Sequence, residues 1–93
     1  MPLERFLNPL VALAPLSEKS KYKKPLSLKA FSEDRLILRE KGSGTRLAID
    51  ALFAGAGIKP RIRLELGSNE AIKQSIAGGM GVGVVSRHAL HGH

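Results

Sequence analysis

Twice in this chain a short apolar segment runs into a turn of glycine and hydroxyl residues and then into a helix-like pattern, and this repetition restricts the fold more than any other feature. The first passage goes from Leu36-Ile37-Leu38 through Gly42-Ser43-Gly44-Thr45 to an apolar run from Leu47 to Ala56. The second begins with Arg61-Ile62-Arg63-Leu64-Glu65-Leu66, whose strict alternation sets Ile62, Leu64 and Leu66 toward a core and Arg61, Arg63 and Glu65 away from it. It continues through Gly67-Ser68-Asn69 into a helix with Ala71, Ile72, Ser75 and Ile76 on one side. Gly78-Gly79 ends that helix, and Val82 to Val85 reads as a buried strand. Strands separated by helices imply parallel crossovers, so the expected fold class is α/β, a largely parallel sheet with flanking helices.

The two turns fall at the carboxyl ends of their strands, where such sheets bind ligands. The first turn of a helix has backbone N–H groups without intrahelical partners and carries the positive end of the helix dipole, which favours an anion. Glu70 occupies the first turn of the second helix, whereas the first helix has Arg46 there and no acid. The expectation is therefore that an external anion completes the end at Ser43, Gly44 and Thr45. Simple capping by Ser43, Ser68 or Asn69 is the alternative use of these residues.

The first helix places Ala48, Ile49, Leu52, Phe53 and Ala56 on one stripe, but Leu47, Ala51 and Ala54 lie off it. A helix apolar nearly all round is usually covered on more than one side, in a chain this short by another chain or another part of this one. Gly57 fits the left-handed position that ends it, and Pro60 prevents continuation. Upstream, Leu10 to Ala14 suits a buried strand closed by Pro15, within a mostly apolar stretch from Phe6. Ser17 to Lys24 is polar and basic and reads as a surface loop, and Ser27 is placed to cap a short helical turn within Pro25 to Phe31. Ser86 is placed to cap a last short helix through Leu90.

Ninety-three residues allow one small domain, and the absence of cysteine excludes a disulfide framework. The net charge of +7 raises nucleic acid or an acidic partner, yet the cations are spread between Lys19–Lys24 and Arg35, Arg39, Arg61 and Arg63, which favours scattered surface charge. No apolar run is long enough to span a bilayer and the N-terminus lacks a signal-peptide pattern, so a cytoplasmic protein without membrane contact is expected. The glycine clusters lack the lysine and hydroxyl of a phosphate-binding P-loop and the third glycine of a dinucleotide fingerprint. No nucleophile, base and acid are grouped, so no enzyme activity, cofactor or catalytic residue is expected. His88, His91 and His93 bunch without a carboxylate or cysteine to complete a metal site, and an exposed tail is the expected reading.

The segments REKGSGTRLAID and LELGSNEAIKQSIAGGMGVGVVSRHAL, in this order and spacing, resemble the effector-binding domain of LysR-type transcriptional regulators, from about Asn8 to Leu90. The wording is most similar to regulators of inorganic-carbon uptake and Calvin-cycle operons. The resemblance implies one subdomain of a type 2 periplasmic-binding-protein-like fold, with a crossover strand at about 6–14, a basic loop at 17–24 and an α/β subdomain at about 36–90. It implies effector contacts at Ser43, Gly44 and Thr45, with neighbours at Ser68 and Asn69, for a small anionic metabolite such as a carboxylate or phosphorylated acid. It also implies a homo-oligomer in the full-length protein, for which Leu47, Ala51 and Ala54 are candidate contacts, and DNA binding only through an N-terminal domain outside this chain. A solute-binding module of a transport system shares the fold and is the alternative reading.

Overall fold

The computed structural model describes residues 2–7, 9–22 and 26–90. Five strands, β1 (Leu3–Phe6), β2 (Leu10–Ala14), β3 (Leu36–Arg39), β4 (Ile62–Leu66) and β5 (Val82–Ser86), form one sheet in the order β1-β2-β5-β3-β4. β3 pairs in parallel with both β4 and β5, while β2 runs antiparallel to β5 and to β1. The sheet is therefore mostly parallel, with β2 alone running against the other strands. Three helices accompany it: α1 (Leu28–Ser32), α2 (Gly44–Gly55) and α3 (Asn69–Ala77).

Side chains alternate across a strand, and the three central strands are apolar on both faces, so the sheet carries a core on each side. On one face Leu36, Leu38, Val82, Val84 and Ala12 pack with Ile49 and Phe53 of α2 and with Phe31 and Tyr22. On the other, Val11, Leu13, Ile37 and Val85 pack with Ile72 and Ile76 of α3. Each fully buried Ile or Phe contributes about 1.5–3 kcal/mol from burial. Gly83 lies opposite Ile37, and a Cβ there would meet the Ile37 carbonyl oxygen at 2.6 Å and Ile76 Cδ1 at 2.8 Å. This glycine lets β5 lie close to β3 while α3 seats on top.

Several expectations hold. β2 is buried throughout, Ser27 caps α1 through the Ala30 N–H at 3.2 Å, and Gly57 has a φ of +71° just beyond α2. Others need correction. Ser17 to Lys21 is exposed apart from half-buried Glu18, but turns in 3-10 geometry from Leu16 to Lys21, and the last segment, Arg87–Leu90, is also 3-10. The first of these turns ends on buried Tyr22, whose hydroxyl donates to Asp34; Lys21 and Arg35 also reach that carboxylate, at 3.1 and 3.0 Å. Burial alone would raise the Asp34 pKa, but the hydrogen bonds from Tyr22, Arg35 and Lys21 outweigh it and hold the carboxyl below the ordinary carboxylate range. The resulting stabilisation is present above the unfolded carboxylate value of about 3.9 and fades as the pH falls toward the lowered folded value.

The alternation of β4 also misleads. Ile62 and Leu64 are 36% and 37% exposed, because β4 is an edge strand and only Leu66 is drawn toward the core. Ala48 and Ala56 are exposed as well, so α2 buries a narrower stripe of Ile49 and Phe53, with Leu52 partly covered. Lys23, Lys24 and Pro25, and His91 and His93, lie outside the described residues.

Candidate functional site

β3 and β4 are parallel neighbours in register, Arg39 opposite Leu66, so the turns that follow them emerge side by side. The Glu40 N–H donates to the Leu66 carbonyl at 3.1 Å, which joins the turns just beyond the last strand pair. Gly42, at a φ of +101°, bends the chain back, and Ser43 in extended conformation begins α2. Ser43 Oγ accepts from the Arg46 N–H at 2.9 Å, and Ser68 Oγ accepts from the Ala71 N–H at 3.0 Å at the start of α3. Both serines are therefore N-caps, worth about 1 kcal/mol each. The first helical bonds are donated by the Leu47 and Ile72 N–H groups to the Ser43 and Ser68 carbonyls, so among the described residues the N–H groups of Gly44 and Thr45, and of Asn69 and Glu70, are the donors left over.

The structure thus brings Ser43, Gly44, Thr45, Ser68 and Asn69 to one edge of the sheet. Gly44 and Ser68 are exposed, and Ser43 and Thr45 half-buried. Asn69 is half-buried, and its side-chain oxygen is buried without a hydrogen-bond partner among the described residues. Glu70 stands in the first turn of α3 and pairs with Lys73 at 3.5 Å, whereas α2 has no acid there.

Arg46 does not act as expected. It does not crowd the dipole at the open helix end; it is buried, with a side chain only 4% exposed, and turns along α2 toward β4. Nε donates to Asp50 at 2.9 Å, and Nη1 donates to Glu65 at 2.7 Å and to the Arg39 carbonyl at 2.9 Å. Burial would lower its pKa, but Glu65 and Asp50 more than compensate, so the guanidinium stays charged. Because β4 is an edge, Glu65 is within reach of the first turn of α2, which spacing in sequence does not reveal. Arg46 therefore staples α2 to the ends of β3 and β4 and sets the relative positions of both turns.

Glu40 is a second residue that the sequence reading passed over. Its carboxylate accepts from Arg39 Nε at 2.9 Å, which keeps its pKa below the ordinary value, and Oε2 lies beside Gly67, 3.7 Å from where a Cβ would sit. A negative group thus borders the rim between the turns, paired with its neighbour. Its place between β3 and the turn at Gly42 was the available signal.

The remaining expected residues fall elsewhere. Leu47 is 69% exposed, and Ala51 and Ala54 share its open side of α2. His88 is exposed on the final 3-10 segment. Among the described residues no three His, Cys, Asp or Glu side chains are grouped to hold a metal ion, and no helix is long and apolar enough to cross a membrane.

Comparison with known proteins matches residues 5–93 to the LysR substrate binding domain. The chain is 40% identical over 83 residues to the HTH-type transcriptional activator CmpR of Synechocystis sp., and 46% identical over 83 residues to the RuBisCO operon transcriptional regulator of Acidithiobacillus ferrooxidans. Each alignment covers 89% of this chain and 27% of the relative, so the chain spans about a quarter of the length of these proteins. Among solved structures it is similar to the Synechocystis CcmR regulatory domain in complex with 2-PG, with a TM-score of 0.79 and 49% identity over 91% of this chain and 41% of that one. The regulator CbnR shares the fold, with a TM-score of 0.76 at 22% identity over 91% of this chain and 30% of that one.

Proposed function

Since this chain belongs to the LysR substrate-binding-domain family, we propose that it is the effector-sensing part of a LysR-type transcription regulator of carbon-assimilation genes. The observation that carries the reading is the pair of helix N-termini side by side beyond adjacent parallel strands. The effector is a small anion, a carboxylate or phosphorylated acid, held by the N–H groups of Gly44 and Thr45 and the Thr45 hydroxyl, with Asn69 completing this wall. Ser43 and Ser68 keep their capping bonds and orient the donors. The complex of the CcmR domain with 2-PG supports a ligand of this class. The relatives are transcription regulators, which favours this reading over a transport module. The opposite wall of the pocket, and the DNA-binding domain, belong to parts of a cytoplasmic regulator outside this chain. Closure on the effector would bias the oligomer between two arrangements, which requires tighter binding to one of them.

In calorimetric titration of the complete regulator with 2-PG, Thr45→Val should raise Kd about fivefold or more, near 1 kcal/mol, without changing Tm. Ser43→Ala should raise Kd and lower Tm together, because it also removes a cap. Unchanged Kd in both variants would take the first turn out of the site.

The open side of α2, with Leu47, Ala51 and Ala54, is the contact through which the complete regulator self-associates. Leu47→Glu and Ala51→Glu should shift sedimentation toward smaller species with the fold intact, because neither side chain is in the core. An unaltered distribution would place the interface elsewhere.

A further inference from the structure

The cations that looked scattered along the sequence are partly gathered by the fold, at the end of the sheet opposite the turns just described. A cleft of about 490 Å³ opens at the amino ends of β3 and β4, lined by Glu33, Asp34, Arg35, Arg61, Ile62 and Arg63. A second cleft of about 460 Å³ shares Glu33 and Arg61 and adds Lys29 and Lys59. Lys29 lies in the last turn of α1, where a cation answers the negative end of the helix, and Lys59 follows α2 in the loop to β4. Asp34 is committed to Tyr22, Lys21 and Arg35, and Arg35 to Glu18 at 2.7 Å and to the Gly79 carbonyl at 3.2 Å. Arg61 and Arg63 have no such use. Among the described residues neither forms an ion pair, although six of the eight acids in the chain do.

We propose that the cleft between the α1–β3 turn and the start of β4 is a second anion site, in which Arg61 and Arg63 bind a small phosphorylated metabolite. Planar guanidinium groups suit phosphoryl oxygens, which they can engage in pairs, better than a single carboxylate needs. The volume suits a small molecule. Glu33 stands in the wall common to both clefts, where it repels a continuous phosphate backbone but accepts a hydrogen bond from a ligand hydroxyl. The walls are held: the Arg61 N–H donates to the Ser32 carbonyl at 3.4 Å, and the Ile58 N–H to the Phe53 carbonyl at 2.9 Å. The length of β3 and β4 separates this cleft from Thr45 and Asn69 by about 15 Å, so the two sites can be occupied together.

The test is titration of the full chain with pyrophosphate at constant ionic strength, followed by backbone amide NMR. Saturable shifts are expected at Glu33, Asp34, Arg35, Arg61, Ile62 and Arg63, unchanged in Thr45→Val and with Kd raised about tenfold in Arg61→Gln/Arg63→Gln. Both arginines are exposed, and if the double variant loses its dispersed spectrum, each single variant should still raise Kd. Shifts confined to the turns at Ser43–Thr45 and Ser68–Asn69, an unchanged Kd in the arginine variants, or no saturable shift would each overturn the proposal. So would a DNA duplex that shifts these amides and is not displaced by pyrophosphate, which would assign the arginines to nucleic acid.

Discussion

Gly83→Val should destabilise the fold by about 3 kcal/mol or more, the upper range for overpacking a core. The new side chain would meet the Ile37 carbonyl within the sheet and Ile72 and Ile76 of α3 above it, so neither β3 nor α3 can stay where it is. Backbone carbonyls do not move aside as the end of a flexible side chain does. Thermal and urea unfolding followed by circular dichroism would measure the loss. Gly55→Ala is the internal control, since nothing lies within 4 Å of a Cβ there, and it should leave Tm unchanged or slightly raised. Equal effects of the two substitutions would mean that β5 and α3 do not pack as described.

Arg46→Gln should cost about 2 kcal/mol, less than the loss expected for a wholly buried ion pair. Its partners soften the effect: Asp50 and Glu65 are 50% and 40% exposed, so water can take up their carboxylates when the guanidinium is gone. The Arg39 carbonyl loses a donor at the point where β3 ends and the first turn begins. Hydrogen exchange should therefore rise around Arg39–Arg46 and Glu65–Ser68 more than in β2 or β5. Arg46→Lys keeps the charge but cannot reach three acceptors in a fixed fork, and it should recover less than half of the stability. Full recovery by lysine would show that charge alone, without the staple, holds the turns.

How far the sequence could be read depended on whether a residue's neighbours were local. The cap at Ser27, the left-handed Gly57 and the buried runs of β2 and β5 follow from bonds or periodicities spanning a few residues, and all were legible. β1 was not, since Leu3-Glu4-Arg5-Phe6 has no strand pattern of its own and is held by pairing with β2. β4 shows the opposite failure. Its alternation was real, but its place at the edge decides that Ile62 and Leu64 stay exposed. Arg46 was misjudged because its partner Glu65 arrives from another element, and the cleft of Arg61 and Arg63 was invisible because its other wall comes from Glu33 to Arg35. The two turns could be placed at one edge from sequence, but the commitment of their serine hydroxyls to capping needed coordinates.

The sheet order has one further consequence, for how the chain becomes folded. β2 is made well before its inner partner β5, with Leu10 opposite Ser86, so one of the central pairings joins parts of the chain that are far apart in sequence. Such contacts are entropically costly to close and form slowly. During synthesis the five apolar residues of β2 have no inner neighbour until β5 leaves the ribosome. Until then β2 exposes its inner edge as a site for misassociation, and a chain stopped before Val82 would lack the strand that covers it.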